Sequence, residues 1–167
     1  IYFRHNTLDD ISIVSKMQNL ESFDIAAAEK VSDLSPLKGL TKLKKVVVEK
    51  NNISDLSPLK GLTELEEVHL WSNPIEDISP LLGLKKLKVI DIGDTKVSKQ
   101  DVEKIRNAFP SIIFRHPHMS TEDKWVSHIR DQLKQTTGDL TQEDFDKVKR
   151  IYFRHNTLDD ISIVSKM

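Results

Sequence analysis

The chain has 167 residues, with 25 Lys+Arg against 26 Asp+Glu, a formal net charge of -1, and 38% hydrophobic and 31% charged residues. No apolar run approaches the roughly 18 to 20 residues of a membrane span, and the balanced charge gives no electrostatic footprint for nucleic acid, so neither is an expected partner. Zero cysteines exclude disulfide stapling, iron–sulfur and Cys-zinc centres and thiol catalysis.

The N-terminal segment IYFRHNTLDDISIVSKM, residues 1–17, recurs unchanged as residues 151–167, so the length is 150 distinct residues plus a 17-residue copy. Ile1 and Phe3 alternate as a strand would, and Leu8, Ile11, Val14, Met17, Leu20, Phe23 and Ile25 then open an apolar pattern. From Val31 the pattern returns three times at a spacing of 22 residues, as VSDLSPLKGLTKLKKVVVEKNN, ISDLSPLKGLTELEEVHLWSNP and IEDISPLLGLKKLKVIDIGDTK. Its columns are Val31/Ile53/Ile75/Val97, Leu34/Leu56/Ile78, Leu37/Leu59/Leu81, Leu40/Leu62/Leu84, Leu43/Leu65/Leu87, Val46/Val68/Ile90 and Val48/Leu70/Ile92. A fixed period of this length predicts a solenoid, in which one coil cannot bury its own apolar edge and stacked neighbours form a continuous core.

Within each coil, Val46-x-Val48, Val68-x-Leu70 and Ile90-x-Ile92 alternate with period two and predict a short strand with one face inward. The Ser-Pro-Leu tripeptides at 35, 57 and 79 predict a short helical turn behind each strand, with Pro presetting φ and Ser as the cap. Asn6, Asn51 and Asn73 fall two residues before the next column, where the amide can satisfy buried backbone groups of the bend and of the neighbouring coil. The first block is one residue longer before Val31, and Ala26-Ala27-Ala28 there reads as a featureless surface patch or a native turn.

Beyond the repeats, Ser98 is expected to cap a helix with Val102, Ile105 and Phe109 on one face, followed by a strand over residues 112–114. Residues 115–120, with His116-Pro-His118, read as a solvated linker. Residues 121–135 predict a helix with Trp125, Ile129 and Leu133 on one face, and Thr141 with Asp144 makes a capping-box-like start to another.

The blocks resemble the 22-residue leucine-rich repeats of bacterial internalin-like proteins over residues 1–96. That resemblance implies an α/β solenoid with a parallel β-sheet on the concave face, a helical cap before the first repeat and a helix-strand closure after the last. Here the order is repeats (1–97), closure-like segment (98–117), cap-like segment (118–150) and duplicate (151–167). It reads as an engineered circular permutation with overlapping termini, and His118-Met119 resembles a cloning junction.

The two copies carry one apolar set for one repeat slot: Ile1, Phe3, Leu8, Ile11 and Val14, or Ile151, Phe153, Leu158, Ile161 and Val164. Six stacked strands span five spacings of about 4.8 Å, roughly 24 Å. A six-residue linker reaches only about 20 Å. The cap-like segment is therefore expected to complete a second copy of the chain, as a domain-swapped dimer or a head-to-tail oligomer.

Catalytic motifs are lacking: no Gly-rich phosphate loop, His-Glu-x-x-His or nucleophile elbow occurs. His116 and His118 lack a third ligand, and Asp9-Asp10 reads as hydrated turn carboxylates, so neither an enzyme, a metal nor a cofactor is expected. What remains is the outward row of the sheet: Tyr2 and Arg4; Ser22, Asp24 and Ala26; Lys45, Val47 and Glu49; Glu67, His69 and Trp71; Val89, Asp91 and Gly93. An exposed Trp71 beside His69 is the kind of aromatic anchor that suits a protein partner. The function expected is a non-catalytic protein-binding scaffold; the alternative is a natural bacterial effector or immunity-type factor that uses the same face. With no signal peptide in the sequence, a cytoplasmic location is the expectation.

Overall fold

The chain divides into two units, Ile1–His118 and Met119–Met167. The computed structural model describes residues 9–118, within the first unit. Expectations for Ile1, Tyr2, Phe3, Arg4, Asn6 and Leu8, and for everything from residue 119 onward, lie outside the described residues.

The strands are β1 (Ser22–Asp24), β2 (Lys45–Val47), β3 (Glu67–His69), β4 (Val89–Asp91) and β5 (Ile113–Arg115). They form one five-stranded sheet in the order β1-β2-β3-β4-β5, with every neighbouring pair parallel. The register carries Phe23, Val46, Val68, Ile90 and Phe114 across one continuous row. Pairing continues past the strand ends, with Lys50 N–H donating to Trp71 O at 2.9 Å and Ser72 N–H to Gly93 O at 3.0 Å. Strands β1 to β4 are joined by 3-10 turns at Ser35–Leu37, Ser57–Leu59 and Ser79–Leu81, a further 3-10 turn at Ser12–Lys16 precedes β1, and a helix links β4 to β5.

The apolar columns are the core. From Val31 to Ile92 every column residue is 5% exposed or less, so burial follows the 22-residue period without exception. In the first coil Ile11, Val14, Phe23 and Ile25 are buried, whereas Met17 and Leu20 are only partly so. The early copy of the duplicated segment thus supplies Ile11 and Val14 to this core.

Two features of the turns differ from expectation. The serine of each Ser-Pro-Leu does not cap its turn through its own side chain. The aspartate two residues earlier is the acceptor: Asp33 Oδ1 takes the Ser35 N–H at 2.7 Å, and Asp55 and Asp77 take those of Ser57 and Ser79 at 2.8 Å. Asp10 does the same for Ser12 at 2.7 Å, so it is not merely hydrated. The reason is geometric. The serine is the first residue of each turn, so its N–H has no partner within the turn and is the free donor an Asx-type turn satisfies.

Past each strand the chain bends through a left-handed residue, Ala27 (φ 57°), Lys50 (53°), Ser72 (56°) and Asp94 (51°). No glycine stands there, and the next residue supports the bend from below. Asn51 and Asn73 fill that place in the second and third coils, Thr95 in the fourth and Ala28 in the first. Ala28 is 3% exposed and packs in the core, which settles the alanine run as a buried turn. The extra residue of the first coil is absorbed by a second left-handed position, Glu29 (φ 61°).

The helix α1 (Lys99–Ala108) begins at Ser98, whose Oγ accepts the Asp101 N–H at 3.1 Å. Val102, Ile105 and Phe109 cover the open edge of the fourth coil and are 8% exposed or less. The closing strand is set one residue later than expected, so Phe114 faces the core and Arg115 the other side. His116 is no linker residue: it is 5% exposed, packs in a tilted contact with Phe114, ring centroids 5.1 Å apart, and lies 3.1 Å from Arg106 Nη2. His118 is exposed, and its Nε2 meets Val97 O at 2.8 Å.

Candidate functional site

Parallel strands in register place equivalent outward side chains about 4.8 Å apart, so the outward face is a lattice of three rows. The first is Ser22, Lys45, Glu67, Val89 and Ile113, and the second is Asp24, Val47, His69, Asp91 and Arg115. The third, just past the strand ends, contains Ala26, Glu49, Trp71 and Gly93. These rows bring together all the described residues expected on this face. Arg115 was missed because the closing strand lies outside the 22-residue period.

Burial on this face is deeper than expected. Asp24, Val47 and Asp91 are buried and Trp71 is only half-exposed, because side chains at this spacing occlude one another. Trp71 has a definite seat. A Cβ added at Gly93 would lie 2.7 Å from Trp71 Cδ1, so the indole lies over the one position in its row that lacks a side chain. Lys50 Nζ covers the ring at 5.2 Å from its centroid, a cation–π distance.

Gly93→Ala is expected to unseat Trp71, since a contact of that kind forces the neighbour to move. Indole emission should shift toward the red, while the denaturation midpoint moves little because Gly93 is not a core position. Unchanged emission would show that Trp71 does not need the gap.

The electrostatics of the face are paired. Lys45 Nζ meets Glu67 Oε2 at 2.5 Å. His69 sits between two carboxylates, with Nδ1 3.8 Å from Glu49 Oε1 and Nε2 3.5 Å from Glu67 Oε2. His69 and Lys45 together hold the Glu67 carboxyl down at about 2. Of the two contacts the lysine's is the firmer, because 3.5 Å with no aligned N–H is not a hydrogen bond. Asp91 accepts the Gly93 N–H at 3.1 Å and pairs with Arg115 Nη1 at 3.4 Å. At the rim, Glu21, Lys44, Glu66 and Lys88 alternate in sign across successive coils, with Lys44 to Glu21 at 3.0 Å and Lys88 to Glu66 at 2.5 Å. Such exposed pairs add little stability singly.

These features define a leucine-rich-repeat domain, a solenoid with a five-stranded parallel sheet. Residues 41–81 and 63–107 match the family model for leucine rich repeats (2 copies). Among solved structures the chain is similar to an internalin (inlF) from Listeria monocytogenes, at 30% identity and TM-score 0.58 over 62% of this chain and 31% of that one. It is also similar to an internalin C2 (inlC2) from the same species, at 25% identity and TM-score 0.54 over 69% of this chain and 59% of that one. The chain therefore spans less than two thirds of either internalin. A Drosophila melanogaster SNF/U2A' complex shares the fold at 17% identity and TM-score 0.51, over 84% of this chain and 79% of that one. Comparison with curated protein sequences gives no match. The repeats are thus similar in fold to those of the two internalins.

Proposed function

We propose that this chain is a non-catalytic protein-binding scaffold that docks a protein partner on the concave sheet face. Leucine-rich-repeat domains commonly bind proteins, and the matched family indicates no catalytic chemistry. The observation that carries the reading is the seated Trp71, a half-exposed aromatic held over Gly93 and under Lys50 in the middle of a charged lattice. A rigid aromatic costs little entropy to immobilise, which is why such residues anchor interfaces. In a binding assay with a captured partner, Trp71→Ala should weaken affinity by about 2 kcal/mol, with Lys45, Glu49 and Asp91 modulating the on-rate. A Trp71→Ala chain that binds as tightly as the unaltered one would remove the anchor role.

A second reading concerns assembly. The chain is read as an engineered circular permutant in which residues 1–17 and 151–167 compete for one repeat slot. Its support is the identity of the two segments together with the burial of Ile11 and Val14 in the first coil. Size-exclusion chromatography with light scattering across a concentration series tests this. The full chain should form dimers or larger species, and a chain lacking residues 151–167 should lose them. A full chain that stays monomeric at high concentration defeats the reading.

A further inference from the structure

We propose that Glu49, His69 and Asp91 form a site for a divalent transition-metal ion, zinc being the natural candidate, at the centre of the concave face. Each residue offers one ligand atom, and these atoms lie within 4.8 Å of one another. They come from three successive coils: Glu49 from just past β2, His69 from β3 and Asp91 from β4. The parallel register fixes His69 beside Asp91. Ligand atoms about 2.0 to 2.2 Å from a tetrahedral zinc stand roughly 3.4 Å apart, so closure needs about an ångström of movement. The Glu49 side chain can supply it, being longer than Asp91's and 29% exposed.

A second observation points the same way. The His69 ring presents Nδ1 to Glu49, while Nε2 is shut off from solvent without a hydrogen bond and faces Glu67 Oε2 at 3.5 Å. A metal-bound imidazole usually donates its other N–H to a carboxylate, which fixes the tautomer and the ring plane. Glu67, itself clamped by Lys45, stands in that place. With Nδ1 on the metal, Nε2 must carry the proton, and the orphaned nitrogen gains the partner it now lacks. Asp91 keeps one oxygen on Gly93 N–H and would loosen its 3.4 Å contact with Arg115.

One imidazole and two carboxylates suit zinc, nickel or copper better than calcium or magnesium, which prefer all-oxygen shells. Glu49, Glu67 and Asp91 outnumber the cations Lys45 and Arg115 at the site, so the local field also favours a cation. Alternation already places all three on the outward face, but at separations of 20 and 22 residues only the register between coils brings them together. Metal binding at this group is independent of whether the face docks a protein partner.

The test is isothermal titration of the full chain with zinc chloride, with calcium chloride in parallel. Saturable zinc binding at one ion per chain is expected, with calcium at least tenfold weaker. His69→Gln and Glu49→Gln should each lower zinc affinity at least tenfold, and Glu67→Gln about tenfold, as a residue acting through His69. Far-UV circular dichroism and the thermal midpoint check that each variant folds. Glu49→Gln is near-isosteric and partly exposed, so it keeps the test valid if His69→Gln does not fold. As an independent readout, nickel should quench Trp71 emission in the unaltered chain and not in Glu49→Gln. The proposal is overturned if zinc shows no saturable binding, or if it binds with the same affinity to Glu49→Gln and His69→Gln, which would place the ion elsewhere.

Discussion

Asn73→Ala is expected to cost about 3 kcal/mol of folding stability, one of the largest single effects in the domain. Asn73 is 3% exposed. Its Nδ2 donates to Val48 O and Leu70 O at 2.9 Å and to Trp71 O at 3.3 Å, and its Oδ1 accepts the Ile53 N–H at 2.9 Å. One side chain thus satisfies backbone groups of two successive coils at a left-handed bend. Alanine fits the space and leaves those groups without partners where water has poor access, at roughly 1 to 3 kcal/mol per unmet group less whatever relaxation recovers. Urea denaturation with an unchanged m-value would read the loss as a shift in midpoint.

The same column supplies internal controls. Asn73→Thr should fall between asparagine and alanine, because Thr95 at the equivalent place keeps one bond, Oγ1 to Ile92 O at 2.6 Å. Asn73→Asp should be at least as costly as alanine at neutral pH, since a carboxylate cannot donate to three carbonyls. Asn51→Ala should cost less than Asn73→Ala. Asn51 makes the three carbonyl bonds, at 2.9, 3.1 and 3.1 Å, but its Oδ1 is buried without a partner. The equivalent of Ile53 one coil earlier is Val31, and the extra residue at the Glu29 bend intervenes there. Equal losses at the two asparagines would show that the Ile53 bond adds nothing.

This asparagine pair also shows how far the sequence could be read. That an amide two residues before each column would serve the backbone of the bend follows from its position in a 22-residue period, and the seven apolar columns follow from the same period. The unmet Asn51 oxygen does not follow from it. The one-residue insertion is visible in the sequence, but whether a longer turn moves the next N–H away depends on backbone angles. The concave face divides in the same way. Alternation identifies Lys45, Glu67, His69 and Asp91 as outward, because strand residues alternate in every parallel ladder. Which of them meet depends on register between coils, and register with β5 lay outside the repeat, so Arg115 went unnoticed. Trp71 was expected to be open to solvent; the absence of a side chain at Gly93, a whole coil away, draws it down.

Leu62→Ala tests the solenoid logic itself and is expected to cost about 3 to 4 kcal/mol, within the range for fully buried leucines. Leu62 is 0% exposed and stands between Leu40 and Leu84 in one column. In a stacked array stability is the sum of each coil's own term and its two interfaces, so a cavity at the central coil weakens the contacts above and below together. Amide exchange should therefore accelerate on both sides of the cavity, at the Val46 and Ile90 rungs as well as at Val68. Leu62→Met, which conserves volume, should cost less than about 1.5 kcal/mol. Exchange that accelerates at Val68 alone would mean that each coil holds itself together. The 22-residue period would then describe a string of independent turns, and the uninterrupted burial of its columns would not be the source of the fold's stability.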